Sequence, residues 1–98
     1  ERMYVQLYPN DWLAYDLTAE ESSESSVFGL SLRLRVPAGT GKIAVALNGT
    51  EIGSVGTNTN QWETVSLQKQ FHLVPGLNKI ILKAQENPVC VEWLEIFD

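Results

Sequence analysis

A chain of 98 residues with 44% apolar side chains is the size of one domain around one core, and no apolar run approaches the ~18 residues that a spanning helix needs. Its net charge of −5 argues against a nucleic-acid surface, which requires a basic patch; Arg33 and Arg35 are the densest basic feature. A single cysteine, Cys90, excludes an internal disulfide.

Period-2 alternation dominates, and no window of helical length carries a 3.6-residue pattern. Met3, Val5 and Leu7 alternate with Tyr4, Gln6 and Tyr8, and a turn follows at Pro9-Asn10. Leu13, Tyr15 and Leu17 form the next apolar series, and the polar segment 18–26 reads as a solvated loop. Phe28, Leu30, Leu32, Leu34 and Val36 give the cleanest strand, with Ser31, Arg33 and Arg35 facing out. Ile43, Val45 and Leu47 lead into Asn48-Gly49, the strongest short hairpin signal because both residues tolerate positive φ. Ile52 and Val55 mark the return strand, followed by the loop 56–61. Val65, Leu67, Phe71 and Leu73 come next, then a turn at Pro75-Gly76 and two last strands over 77–84 and 89–97. About eight short strands at this spacing predict an all-β fold, an antiparallel sandwich with Leu30, Leu32, Leu34, Ile43, Val45, Leu47, Val65 and Leu67 buried. The chain begins at Glu1 directly before a strand-like segment, without a signal peptide, so residues 1–98 read as a single domain excised from a larger multidomain protein.

Several aromatics fall on the wrong parity. Tyr4 and Tyr8 lie opposite Val5 and Leu7, Trp12 opposite Leu13 and Leu17, and Trp62 opposite Val65 and Leu67. In the last strand Trp93 shares parity with Val91 and Phe97, whereas Leu94 and Ile96 share the other, so its inner face is ambiguous. Flat rings beside Asn, Gln and Arg are what binding a pyranose requires: the ring stacks on sugar C–H groups while polar side chains reach the hydroxyls. The alternative is a covered outer face, on which these rings pack against a loop or a neighbouring domain.

Catalytic chemistry finds little support. His72 is the only histidine, so no Ser-His-Asp or Cys-His set assembles without it, and His72 with Cys90 is too few ligands for zinc. Glu20, Glu21 and Glu24 crowd a serine-rich loop and read as a solvated run rather than a glycosidase carboxylate pair. Asn48-Gly49-Thr50 matches a glycosylation sequon, but the hairpin turn already accounts for it. The chain reads as a non-enzyme.

The order of motifs is nevertheless familiar. The segments 8–17 (YPNDWLAYDL), 30–55, 59–67 (TNQWETVSL), 71–84 and 91–97 (VEWLEIF) resemble carbohydrate-binding module family 6 and its relatives, over almost the whole chain. The resemblance implies a jelly-roll-like, galactose-binding-domain-like β-sandwich that binds a polysaccharide or oligosaccharide, either in a cleft among the loops at one end or on one sheet face. It implies an attached glycoside hydrolase as partner, a bacterial, secreted setting (extracellular or periplasmic), and neither nucleic acid nor membrane as partner. Trp62 falls on the family's loop tryptophan, and Tyr8 or Tyr4 on the opposing wall; Asn60, Asn87 and Trp12 complete the candidate sugar contacts. Cys90 stands where the family has an asparagine, which favours the second reading, a structural or protein-interaction sandwich with no sugar site. No cofactor is implied by the residues themselves: the family resemblance allows a structural calcium, but the family's Glu-x-Glu strand is absent, and Glu92 alone is a poor case for six or more oxygens.

Overall fold

The computed structural model describes residues 3–21 and 26–98 and contains no α-helix among them. Its strands in chain order are β1 (Val5–Leu7), β2 (Trp12–Ala19), β3 (Gly29–Arg35), β4 (Gly41–Leu47), β5 (Thr50–Thr57), β6 (Glu63–Ser66), β7 (Gly76–Ala84) and β8 (Val89–Phe97). They form two four-stranded antiparallel sheets, ordered β1-β8-β3-β6 and β2-β7-β4-β5. The expected sandwich is therefore the fold. Of the polar stretch 18–26, Thr18 and Ala19 still belong to β2, whereas Glu24 lies outside the described residues.

The inner faces carry the residues that alternation assigned to them. Leu30, Leu32, Leu34, Ile43, Val45, Leu47 and Leu67 are buried, and Val65, on the edge strand β6, packs half-buried against them. Met3 and Val5 depart from that pattern: Met3 is 89% exposed and only Leu7 of the first series enters the core. β1 is three residues long and forms the edge of its sheet, so the opposing sheet covers only its last residue.

Two β-bulges resolve what parity leaves open. Arg33 pairs with Trp93 but Leu34 pairs with Val91, so Glu92 is an extra residue in β8. The extra residue flips parity, which lets Val89 and Val91 face the core on one side of it and Leu94 and Ile96 on the other. Trp93 and Phe97 are left on the outer face. Similarly Val45 pairs with Gly53 and Ala46 with Glu51, placing Ile52 at a bulge and explaining the odd spacing of Ile52 and Val55.

Turn chemistry fixes the corners. Asn48 (φ 50°) and Gly49 (φ 90°) make the two-residue turn that joins β4 to β5, with Leu47 opposite Thr50. The Asn48 amide Nδ2 donates to Asn78 Oδ1 at 3.0 Å, and Asn48 Oδ1 accepts the Lys79 N–H at 2.8 Å. The sequon asparagine is thus committed to the fold. Asn78 is fully buried and also binds both backbone groups of Val74, pinning the irregular chain between β6 and β7. Within that stretch Phe71 and Leu73 are buried, and Phe71 pairs with Phe28 as an isolated bridge.

Candidate functional site

Antiparallel pairing brings four connections to one end of the sandwich: the β1–β2 turn, and the β3–β4, β5–β6 and β7–β8 loops. Main-chain hydrogen bonds lace them together, from Asn10 N to Ala84 O, Val36 N to Thr59 O and Gln85 N to Lys42 O. Side chains brace the β5–β6 loop from within. Thr57 Oγ1 donates to Glu63 Oε1 at 2.6 Å, and Thr59 Oγ1 accepts the Gln61 N–H at 3.1 Å. Trp62, the residue before β6, is held at the end of this braced loop.

The strand order β1-β8-β3-β6 puts Tyr4 and Trp62 beside opposite edges of one sheet, three strand spacings or roughly 14 Å apart at the backbone. Their side chains nevertheless meet. The ring centroids lie 5.5 Å apart with the planes at 66°, an edge-to-face contact over the outer face of the sheet. Beneath them is Arg35, the last residue of β3, whose guanidinium carbon is 5.5 Å from the Tyr4 ring centroid and 5.4 Å from that of Trp62. Arg35 Nη1 donates to Asn60 Oδ1 at 2.8 Å, and Nη2 to Cys90 Sγ at 3.7 Å. The wrong-face tryptophan has its explanation: with Tyr4 it roofs an arginine that β3 points outward.

Cys90 lies under this roof, level with Arg35 and Gln6, and is fully buried although it sits on the outer parity of β8. Burial pushes its thiol pKa up, and the Arg35 charge partly offsets the rise. One step along the same face, Arg33 Nε lies 3.4 Å from Glu92 Oε1, and its Nη1 donates to Thr64 Oγ1 at 3.1 Å.

Of the six sequence candidates, the structure brings Trp62, Tyr4 and Asn60 together. Trp62 is half-buried rather than an open platform, and the ring it meets is that of Tyr4. Tyr8 is 56% exposed in the β1–β2 turn, where its N–H is bound by Asp11 Oδ2 at 3.0 Å. Asn87 spends its amide on Thr40 O at 2.8 Å, tying the β7–β8 loop to the β3–β4 loop. Trp12 is 61% exposed but starts β2, and so belongs to the other sheet. Sequence reasoning missed Arg35 as the centre of the cluster. The available signal was its outward parity at the end of β3 combined with the outward parity of Trp62.

His72 is exposed and its Nδ1 lies 2.8 Å from Ser26 O, a structural contact on the chain beyond β6. Among the described residues no three His, Cys, Asp or Glu side chains converge, Asp11 is engaged by Tyr8 and Glu92 by Arg33. The donor set of the described residues does not fit a structural calcium, which wants six or more oxygens.

No protein-family model matches the sequence, and no curated protein matches it significantly. Solved structures do match. A family 36 carbohydrate-binding module in complex with calcium and xylotriose superposes with a TM-score of 0.77 at 21% identity, over 93% of this chain and 77% of that one. A family 36 domain of a multidomain xylanase from the hindgut metagenome of Trinervitermes trinervoides gives 0.80 at 16%, over 95% and 76%. A family 6 module of Cellvibrio mixtus lichenase 5A in complex with cellotriose gives 0.73 at 18%, over 94% and 73%. The same fold covers 19% of an insecticidal delta-endotoxin of Bacillus thuringiensis, with a TM-score of 0.78 at 9% identity. This chain has the β-sandwich fold of the family 36 and family 6 carbohydrate-binding modules.

Proposed function

We propose that this domain is a non-catalytic carbohydrate-binding module that holds an attached glycoside hydrolase to a polysaccharide outside the cytoplasm, in an extracellular or periplasmic setting. The observation that carries the reading is the pair of aromatic rings, Trp62 and Tyr4, meeting at 66° over Arg35 with Asn60 at its side. Two rings set at an angle form a corner, so a pyranose stacks its C–H face on one ring while the other forms a wall. Hydroxyls then reach Asn60 and the guanidinium, which fix orientation that an aromatic surface alone cannot. Like the modules it resembles in fold, which were solved with xylotriose and cellotriose, the domain works by recognition. Tethering raises the concentration of substrate seen by a neighbouring active site without chemistry in the module itself.

Affinity electrophoresis of wild type and Trp62→Ala in gels containing soluble polysaccharides, beside thermal melts, tests the reading. Retardation of the wild type and its loss in the variant support it. Trp62 is half-buried and in contact with a ring and a cation, so the substitution also costs stability, roughly 0.5–1.5 kcal/mol for the aromatic contact and roughly 0.5–1 kcal/mol for the cation–π contact. The second reading, a structural or protein-interaction sandwich, is favoured by one observation: the two rings touch each other and leave no parallel-walled slot between them. It predicts a wild type that migrates unretarded in every polysaccharide gel.

A further inference from the structure

Resting on the sugar-binding reading above, we propose that Arg35 makes this site select saccharides that bear a carboxylate, that is, glycans containing uronic acids. The charge environment of Arg35 is the starting point. Among the described residues its guanidinium is met by an amide oxygen (Asn60 Oδ1), a sulfur (Cys90 Sγ) and two aromatic rings, and by no carboxylate. Arg33, on the same strand and the same face, is paired with Glu92. Acids are not scarce in a chain of net charge −5, so an arginine without one at the centre of the aromatic cluster stands out.

A half-buried cation regains by pairing with an anion what it loses in hydration, and the partner it fits best is planar and bidentate. Guanidinium carries five N–H donors, of which contacts to the described residues use two. The donors left over can take both oxygens of a carboxylate. The flanking rings hold the pyranose, so a carboxylate at the sugar's C5 is carried towards Arg35 by the same stacking that binds the ring. Neutral hydroxyls would use the same donors through weaker, single hydrogen bonds. Among the described residues, Arg33 is paired with Glu92, whereas Arg35 is the cation set beside the rings.

The test compares uronate polymers with esterified, neutral and sulfated ones, the polygalacturonate pair differing in charge on one backbone. Wild-type protein is titrated with polygalacturonate, with its methyl-esterified form, and with alginate and glucuronoxylan, against neutral xylan and dextran sulfate. The expected result is binding of at least one uronate polymer about tenfold or more tighter than of the neutral polymers, lost on esterification where polygalacturonate is the ligand. Arg35→Gln should reduce uronate binding to the neutral level, and Arg35→Lys, which keeps charge but not the fork, should restore only part of it. The comparison of polymers uses the unmodified protein, so it stands even if an Arg35 variant folds poorly. Equal binding of uronate and neutral polymers overturns the carboxylate selection while leaving the sugar-binding reading intact. Equal binding of dextran sulfate overturns it in favour of general polyanion attraction, and no binding of any polysaccharide overturns both readings.

Discussion

Replacing Asn78 by alanine should unfold this domain at markedly lower temperature, although Asn78 is polar and remote from the aromatic cluster. Its side chain is fully buried and makes four hydrogen bonds. Nδ2 donates to Val74 O at 2.8 Å and Gly76 O at 3.2 Å, while Oδ1 accepts from Val74 N at 3.0 Å and Asn48 Nδ2 at 3.0 Å. Each such bond contributes about 1 kcal/mol net. Val74, Gly76 and Asn48 are exposed, so water can reach their freed groups, and the loss stays near the sum of the bonds, about 3–4 kcal/mol. That is a large share of the roughly 5–15 kcal/mol holding a domain of this size. At about 4–8 °C per kcal/mol the melting temperature falls by roughly 12–30 °C. Urea denaturation of Asn78→Ala, Asn48→Ala and the double variant measures both the total and the coupling, which should be near 1 kcal/mol for the direct Asn48–Asn78 bond. A loss under about 1 kcal/mol for Asn78→Ala would refute the assignment of this residue as the pin of the β6–β7 connection.

Gly49→Val forces a β-branched residue to φ 90° with nothing within 4 Å to clash, so the cost is conformational alone, about 1–2 kcal/mol by urea denaturation. Gly41→Ala tests packing instead: a Cβ there would stand 2.6 Å from Val89 Cγ2 and 2.7 Å from Val36 Cγ2, two stiff core side chains, and equilibrium denaturation should register roughly 1–3 kcal/mol. The raised Cys90 pKa means that folding favours the protonated thiol; that stabilisation is complete below the ordinary value of 9.0 and is lost as pH rises through the folded value. Alkaline melts should therefore fall more steeply above about pH 9 in the wild type than in Cys90→Ala, and alkylation of the native thiol by iodoacetamide should be slow until the protein unfolds. Asn48 should remain unmodified when the folded domain is offered to a glycosylating system, checked by intact mass, because its Nδ2 is held by Asn78.

Alternation by itself determined the strands, the buried leucines of β3 and the all-β class, because period 2 is a local property of an extended chain with one face in oil and one in water. Asn48-Gly49 determined its own turn for an equally local reason, the tolerance of both residues for positive φ. Which side of β8 is inner was not local: the bulge at Glu92 exists only through the register with β3, and it turns Trp93 outward while Val91 stays in the core. Nor could parity say what an outward aromatic meets. It marked Tyr4, Tyr8, Trp12 and Trp62 alike, but the strand order divides them, placing Trp12 on the other sheet and Tyr8 in a turn. Tyr4 and Trp62 are far apart in sequence and flank opposite edges of one sheet; only the packing of β1, β8, β3 and β6 side by side brings their rings together over Arg35. The sequence marks which side chains leave the core, and pairing between distant strands decides which of them share a site.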